Sequence, residues 1–337
     1  MPSRTHPRLR SLLRNAAKRR LIVFGDVMLD HFVWGRVSRI SPEAPVPVVD
    51  FERESWMPGG AANVARNLSA LGIQTRLFGA VGKDFSADRL TDLLRQANVE
   101  CSGLLALGTR PTSLKMRIVA GQQQITRLDR ENRQPLDTPD AETLQKAIAR
   151  ALPSADGVII ADYSKGCVTP AALESLKSLC RKTGKWLSFD AKPSPHLDLR
   201  GLSLIKPNRG EAFGLAGIAD TIRHDQPLRD GPLMTASQRI LDTLSPALLL
   251  ITLGEQGLLL CRRNEPPVHI PTVAQEVFDV SGAGDTVIAA FTLAIVAGAS
   301  PVEAAILANH AAGVVVGKRG TATVTPGELI SSFEQNG

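Results

Sequence analysis

The chain has 337 residues, of which 43% are hydrophobic and 21% are charged, a composition typical of a globular protein with a large core. Its net charge of +6 comes from residues 1–20, which hold seven of the 39 basic residues and no acidic residue, so that 32 basic and 33 acidic residues remain in the rest of the chain. A near-neutral body with one Tyr and three Trp argues against a nucleic-acid-binding protein.

Residues 1–20 predict a basic, disordered tail that is solvated. The apolar run that follows is short and meets Asp26 at once, which argues against a secretory signal. The longest strongly apolar stretch, residues 287–298, is too short to span a bilayer. Four cysteines without C-x-x-C spacing or a histidine cluster predict reduced thiols with no metal role. We therefore expect a cytoplasmic protein that binds no membrane.

One domain, covering residues 21–333, is predicted to begin with a buried strand over residues 21–26. No G-x-G-x-x-G follows this strand, which argues against a dinucleotide-binding fold. Asp30 is a candidate ligand for substrate hydroxyls, the alternative being an exposed acidic residue in a turn. Residues 31–57 alternate in hydrophobicity and contain prolines, so they predict edge strands in a small β-lid.

Two glycines, Gly59 and Gly60, precede a helix predicted over residues 61–71. Glycines allow the backbone to approach a ligand closely, and the side chain of Asn63 can both donate to and accept from a diol. An ordinary helix start is the alternative interpretation of this motif.

Apolar strand-like runs and helical runs alternate from residue 73 onward. This alternation predicts an α/β fold with a mainly parallel sheet that is covered by helices on both faces. Polar residues follow several predicted strands, and the carboxyl ends of parallel strands form a common ligand-binding rim. The predicted strands cover residues 73–81, 112–120, 122–129, 157–161, 186–190, 202–205 and 247–252, with 112–129 a further candidate part of the lid, and the predicted helices cover 87–96, 141–152, 170–183, 235–244, 286–297 and 301–317.

A glycine-rich turn, Gly282-Ala283-Gly284, separates an apolar run over residues 275–280 from the predicted helix that begins at Thr286. The run predicts a strand. Exposed amides at a helix start, together with the helix dipole, form an anion site. Asp285 lies at this positive end, where a carboxylate would repel a phosphate unless it takes part in the chemistry. We interpret it as a general base that takes a proton from a hydroxyl; an ordinary capping aspartate is the alternative.

The strings Asp279–Thr286 and Gly59–Asn63 resemble the two signatures of the ribokinase family of carbohydrate kinases. The resemblance implies a ribokinase-like three-layer fold with a β-lid, ATP and Mg²⁺ as cofactors, a monovalent cation as a further candidate, and a homodimer that forms through the lid. It implies Asp285 as the catalytic base and an anion hole at Gly282, Ala283 and Gly284. It also implies Glu211 as a magnesium ligand through water, and nucleotide-side roles for Asn208, Thr252, Gly254, Gly257 and Asn309.

Further strings, Gly25–Asp30, Ser38–Val48, Pro58–Ala65, Asp162–Gly166 and Ala311–Lys318, resemble a branch of that family whose sugar substrate already carries a phosphate. Such a substrate needs cations. Lys115 and Arg117 share one face of a predicted strand, and charge-assisted contacts suit a phosphate. The substrate-side candidates are Asp30, Arg39, Gly59, Gly60, Asn63, Lys115, Arg117, Asp162, Lys165 and Lys192. The alternatives are a kinase for another sugar and a non-catalytic sugar- or nucleotide-binding protein on the same fold.

Overall fold

The computed structural model describes residues 5–121, 123–192, 196–274 and 276–335. The strands are β1 (Arg20–Gly25), β2 (Val27–Ile40), β3 (Pro47–Gly60), β4 (Gln74–Gly82), β5 (Glu100–Leu107), β6 (Ser113–Ala120), β7 (Gln123–Arg130), β8 (Gly157–Ala161), β9 (Trp186–Asp190), β10 (Leu204–Lys206), β11 (Leu248–Thr252), β12 (Leu258–Cys261) and β13 (Val268–Ile270). The helices are α1 (Thr5–Ala16), α2 (Ala61–Ala70), α3 (Phe85–Gln96), α4 (Thr138–Ala151), α5 (Pro170–Thr183), α6 (Arg209–Ala216), α7 (Gly231–Leu244), α8 (Ala283–Val296), α9 (Pro301–Val316) and α10 (Pro326–Gln335).

Nine strands form the central sheet in the order β13-β12-β11-β10-β9-β8-β1-β4-β5. The pairs from β11 to β5 are parallel, and only β12 and β13 run antiparallel to their neighbours. Successive side chains of β1 enter opposite cores: Leu21 and Val23 pack with α2, α8 and α9, whereas Ile22 and Phe24 pack with α4 and α5. Burial on both faces explains the continuous apolar runs in the sequence. The predicted three-layer α/β fold is confirmed.

A second sheet of four strands, in the order β3-β2-β6-β7, forms the lid. It contains both candidate segments, residues 31–57 and 112–129, although residue 122 lies outside the described residues. Strand β2 continues directly from β1, and a Cβ at Gly25 would lie 2.0 Å from the carbonyl oxygen of Ala161, so only glycine fits at this junction. The inner half of β2 is buried, and its outer end, residues 36–40, is largely exposed. The lid therefore projects from the rim of the central sheet.

Residues 5–16 differ from the disordered tail that the sequence predicts, because they form helix α1. Leu9, Leu12 and Leu13 are buried in the same core as α8 and α10, and Arg8 forms an ion pair with Glu303. Charge alone suggested a solvated segment. The apolar residues at positions 9, 12, 13 and 16 carry the helical periodicity that predicts a packed face.

The predicted strand over residues 275–280 is wrong for its described part, residues 276–280, which form no strand. The amides of Phe278 and Asp279 donate to the carbonyl oxygen of Val316 at the end of α9, and Val277, Phe278 and Val280 are exposed. This segment is thus fixed by a helix end rather than by a sheet. Across the described residues, no helix is both long and apolar enough to cross a membrane.

Candidate active site

Asp285 lies in the first turn of α8 and is 9% exposed. Its Oδ2 accepts a hydrogen bond from Asn63 Nδ2 at 2.7 Å, and its Oδ1 accepts one from the hydroxyl of Tyr163. Burial, and the negative charge of Asp190, raise the pKa of Asp285 to about 6, although the two hydrogen bonds and Lys206 act in the opposite direction. The carboxylate is therefore ionised at neutral pH and still basic enough to take a proton.

Asn63 is fully buried and is held by its neighbours in α2 and α8. Thr286 Oγ1 donates to Asn67 Oδ1 at 2.9 Å, and Asn67 Nδ2 lies 2.9 Å from the backbone oxygen of Asn63 and 3.4 Å from Asn63 Oδ1. The sequence predicted that Asn63 binds substrate hydroxyls. In the structure its Nδ2 donates to the carboxylate of Asp285, and no part of Asn63 faces solvent. Contact of Asn63 with the sugar stays a prediction.

The turn at Gly282–Gly284 forms the N-terminus of α8. Gly282 has φ 79°, and a Cβ there would lie 2.6 Å from Asn63 Nδ2, so this position requires glycine. The amides of Gly284 and Asp285 donate to no atom within the part of the chain that the structure describes. Two open amides at a helix N-terminus can bind an anion.

A buried lysine that the sequence reasoning missed, Lys206, lies beside this turn. A Cβ at Gly284 would be 3.3 Å from Lys206 Nζ, and the same nitrogen forms an ion pair with Asp190 at 2.8 Å. Lys206 is 3% exposed and ends strand β10. Its position directly after an apolar strand was the signal for a rim residue. It places an ammonium group that is paired with Asp190 beside the open amides of the turn.

The loop after β8 is fixed by Asp26, at the junction of β1 and the lid. Asp26 accepts hydrogen bonds from the backbone amides of Tyr163, Lys165 and Cys167 at 2.8–3.0 Å. This anchoring directs the hydroxyl of Tyr163 to Asp285. Asp162 accepts from the amide of Ser164 within the same loop, and burial together with the charge of Asp26 raises the pKa of Asp162. The sequence singled out Asp162 but missed Tyr163.

Two of the nucleotide-side candidates, Asn208 and Glu211, lie at the N-terminus of helix α6. Asn208 and Glu211 form a capping box, in which Asn208 Oδ1 accepts from the amide of Glu211 at 2.9 Å and Glu211 Oε2 accepts from the amide of Asn208 at 2.8 Å. Glu211 Oε1 accepts from Lys192 Nζ at 2.6 Å. Burial lowers the pKa of Lys192, but the hydrogen bond and charge of Glu211 outweigh it, so the net shift is upward. Glu211 and Lys192 thus lie together, close to Asp285.

The other nucleotide-side candidates lie around the end of β11. Thr252 pairs with Asn208 through an isolated bridge, and its amide donates to the carbonyl of Pro207 at 3.0 Å. Gly254 and Gly257 have φ values of 62° and 87°, and a Cβ at Gly257 would meet the carbonyl oxygen of Ile270 at 2.2 Å. Asn309 on α9 is buried and donates to the carbonyl of Pro271 at 2.7 Å. Its amide group therefore fixes the residues after β13.

Asp30 lies on the inner part of the lid and is 4% exposed. Its Oδ1 accepts from Arg117 Nη1 at 2.5 Å, and a Cβ at Gly59 would lie 2.3 Å from its Oδ2. Gly60 has φ 57° and continues into α2. The two glycines therefore make room for Asp30 at the corner between the lid and α2.

Lys115 is aligned with Asp30 in the neighbouring strand, and Arg117 follows two residues later on the same face, as predicted. Within the described residues Lys115 forms no ion pair. Burial is the main cause that lowers the pKa of Lys115; Asp30 opposes this effect and the neighbouring cations Lys165 and Arg117 add to it. Lys115 is therefore a cation on this face whose charge is not paired with a carboxylate in the part of the chain that the structure describes.

Of the other cations that the sequence predicts to bind the substrate, one is paired with a carboxylate and one lies far from Asp30. Lys165 is buried and its Nζ lies 2.7 Å from Glu131, so its charge is already neutralised. Arg39 lies in the exposed outer half of β2, nine residues and hence about 30 Å along the strand from Asp30. The structure does not bring Arg39 to the other candidates of the same subunit. Sequence spacing could not reveal either outcome, because both depend on tertiary partners.

Comparison with known proteins identifies the family. The model of the "pfkB family carbohydrate kinase" matches residues 18–327. The relative "Bifunctional protein HldE" of Caulobacter vibrioides is 44% identical over 324 residues, covering 95% of this chain and 65% of the relative. HldE of Proteus mirabilis is 42% identical over 312 residues, covering 93% and 63%. The chain thus spans less than two thirds of the length of these relatives.

Solved structures show the same fold. Arabidopsis thaliana ribokinase in complex with ribose and ATP superimposes with a TM-score of 0.73 at 20% identity, covering 94% of this chain and 99% of that one. Phosphofructokinase-2 from Escherichia coli in complex with potassium gives a TM-score of 0.75 at 20% identity, covering 94% and 98%.

Proposed function

The chain belongs to the pfkB family of carbohydrate kinases, and from this premise we propose that it phosphorylates D-glycero-β-D-manno-heptose 7-phosphate with ATP. The anomeric hydroxyl accepts the phosphoryl group, and the products are the 1,7-bisphosphate and ADP. The reaction is a step in the synthesis of ADP-heptose for the lipopolysaccharide core. The observation that carries the catalytic part of the proposal is the position of Asp285, a buried carboxylate with a pKa of about 6 at the open amide end of α8.

In the proposed step, Asp285 takes the proton of the sugar hydroxyl while the hydroxyl oxygen attacks the γ-phosphorus of ATP. The new oxygen–phosphorus bond forms as the bond to the bridging oxygen breaks, and its electron pair leaves with ADP. The open amides of Gly284 and Asp285, with the nearby ammonium group of Lys206, suit the negative charge that the transferring group carries. Asn63 and Tyr163 hold the carboxylate in place.

The residues present fit a magnesium ion that is bound mainly by phosphates and water. Within the described ranges, no group of three or more His, Cys, Asp or Glu side chains could hold a metal by itself. Mg²⁺ commonly uses one or two carboxylates together with substrate phosphates, and Glu211, whose oxygens accept from Lys192 and from the amide of Asn208, would hold the ion through water. When bound, the ion neutralises charge on the phosphates. The monovalent cation stays a prediction.

The heptose assignment is supported by three observations. The strings at residues 25–30, 38–48, 58–65, 162–166 and 311–318 resemble heptose 7-phosphate kinases, and relatives that are 40–44% identical carry the name HldE. Lys115 and Arg117 lie beside Asp30 on the lid face, where they can bind the phosphate that the sugar already carries. A kinase for another sugar and a non-catalytic binding protein are the alternatives.

We also propose that the lid forms a homodimer and that the protein is cytoplasmic. The outer part of the lid exposes large apolar side chains, with Phe51 65%, Ile40 61% and Val46 51% exposed. Exposed apolar strands are costly in water and are commonly covered by a partner. A second copy of the chain is the partner that the family implies.

The deciding experiment is a substrate panel with NMR analysis of the product. The purified protein is incubated with MgATP and, separately, heptose 7-phosphate, heptose, ribose and fructose 1-phosphate. We expect the highest kcat/KM for heptose 7-phosphate and a new phosphorus–carbon coupling at C1. Preference for another sugar refutes the substrate assignment, and absence of turnover with every sugar supports the non-catalytic alternative.

A further inference from the structure

Tyr163 is the single tyrosine of the chain, and its hydroxyl donates to Oδ1 of the proposed base, Asp285. One face of its ring is covered by Lys192, whose Nζ lies 5.5 Å from the ring centroid. Burial, and the charge of Asp285, raise the pKa of Tyr163 well above its ordinary value, so the phenol is a neutral donor. The base therefore already holds an alcohol-type donor in the protein itself.

We propose that Tyr163 is a latch that occupies the acceptor position of Asp285 until the sugar hydroxyl displaces it. This inference rests on the proposed role of Asp285 as the base. A phenol hydroxyl and a sugar hydroxyl offer the carboxylate the same kind of hydrogen bond. While Tyr163 is in place, water cannot take the position from which it would lose a proton and attack ATP. The latch thus limits ATP hydrolysis when no sugar is bound.

Of the two donors to Asp285, Tyr163 is the one that can move. Asn63 has no exposed surface. It is held by Asn67, which in turn accepts a hydrogen bond from Thr286, and all three residues are buried. Tyr163 is only partly buried. Asn63 therefore stays in place on Oδ2, and a sugar hydroxyl that approaches Oδ1 meets the hydroxyl of Tyr163.

The movement is confined to the ring of Tyr163. Asp26 fixes the backbone amides of Tyr163, Lys165 and Cys167, so the loop itself stays in place. The contact above the ring is partly open to solvent, because the Lys192 side chain is 39% exposed. Lys192 also contacts Glu211 on the nucleotide side. Lys192 therefore links the ring of Tyr163 to the nucleotide side of the site, and the hydrogen bond to Asp285 links the same ring to the sugar side.

The first test replaces the hydroxyl alone, with Tyr163→Phe. We expect ATP hydrolysis without sugar to rise roughly tenfold, the equivalent of one hydrogen bond to a charged group, and to rise by at least that factor relative to the rate of sugar phosphorylation. Thr183→Val, which removes a hydroxyl that bonds only within α5, is the matched control and should leave both rates unchanged. Unchanged or lower sugar-free hydrolysis in Tyr163→Phe overturns the latch. A fall of both activities assigns Tyr163 a purely orienting role.

The second test uses the unaltered protein and does not depend on the folding of a variant. Labelling with tyrosine enriched in ¹³C at Cζ gives one resonance, because the chain has one tyrosine. Saturating heptose 7-phosphate without ATP should shift this resonance as the hydrogen bond to Asp285 is lost. A resonance that the bound sugar leaves unmoved contradicts displacement. If the protein does not phosphorylate this sugar, the substrate assignment fails, and the sugar-free hydrolysis rates still decide the latch.

Discussion

Replacing Asp285 with Asn should inactivate the enzyme and stabilise its fold. Loss of a general base commonly costs about 10²–10⁴-fold in turnover. The stabilisation follows from the cost of ionising a buried carboxylate. Burial and Asp190 raise the pKa of Asp285 from 3.8 to about 6, and about two pKa units correspond to about 3 kcal/mol. Asparagine avoids this cost, and the hydroxyl of Tyr163 can rotate to accept from the new amide.

The raised pKa of Asp285 determines how the stability difference between the parent and the variant changes with pH. Because the folded state binds the proton of Asp285 more tightly than the unfolded chain does, the parent loses stability as the pH rises from about 4 to about 6. The variant lacks this titration. Its advantage should therefore be largest above about pH 6, up to about 3 kcal/mol, and should disappear near pH 4.

Urea unfolding of the ligand-free parent and variant at pH 8 and pH 4.5 measures this difference, and ATP binding is checked separately. Asp242→Asn is the matched control, because Asp242 is exposed on α7 and bonds only Gln238; it should change stability little at either pH. A variant that is less stable than the parent at pH 8, or an advantage that does not change with pH, refutes the reasoning. Near-normal turnover by the purified variant refutes Asp285 as the base.

Four further predictions concern the site and the lid. The kcat/KM of the parent should fall about tenfold per pH unit below about pH 6, and a flat profile between pH 5 and 7 contradicts the base assignment. Glu211→Gln should raise the magnesium concentration needed for half-maximal rate while sugar binding, measured by calorimetry, stays the same; identical magnesium titrations count against the role of Glu211. Removing the 7-phosphate from the sugar should cost about 2–4 kcal/mol in kcat/KM. Lys115→Ala should reduce this preference for the phosphorylated sugar, whereas Arg36→Ala, on the exposed outer lid, should not; equal losses of kcat/KM for both sugars indicate that Lys115 positions the sugar ring. Light scattering at micromolar concentration should show a dimer for the parent and a monomer for Phe51→Ser, and a monomeric parent excludes the lid dimer.

Strand and helix alternation made the central sheet predictable, because parallel strands that are buried on both faces leave long apolar runs in the sequence. The apolar periodicity also located α2, α8 and α9 correctly to within a few residues. The edge strands β5 and β13, and β12 next to β13, were missed. They are short or half-exposed, and their pairing depends on neighbours rather than on a pattern of their own.

The glycine turn before α8 was predictable for a local reason, since Gly282 must adopt a positive φ and the helix begins at once. The functional partners of Asp285 were not, because they come from distant parts of the chain. Asn63 and Tyr163 meet the carboxylate across 222 and 122 residues of sequence. Likewise, only the fold shows that Lys165 is neutralised by Glu131 and that Lys115 is not paired with a carboxylate among the described residues.

The packing of α1 against α10 joins the first and last helices that the structure describes. Leu9, Leu12 and Leu13 share a core with Leu329 and Phe333, and Arg10 reaches Glu334 at 3.6 Å. During translation, at about 5–20 residues per second, the apolar side of α1 leaves the ribosome roughly 15–65 s before α10. For that interval part of its docking surface does not yet exist. The nascent chain thus carries an amphipathic segment whose apolar side stays partly uncovered until α10 has been synthesised.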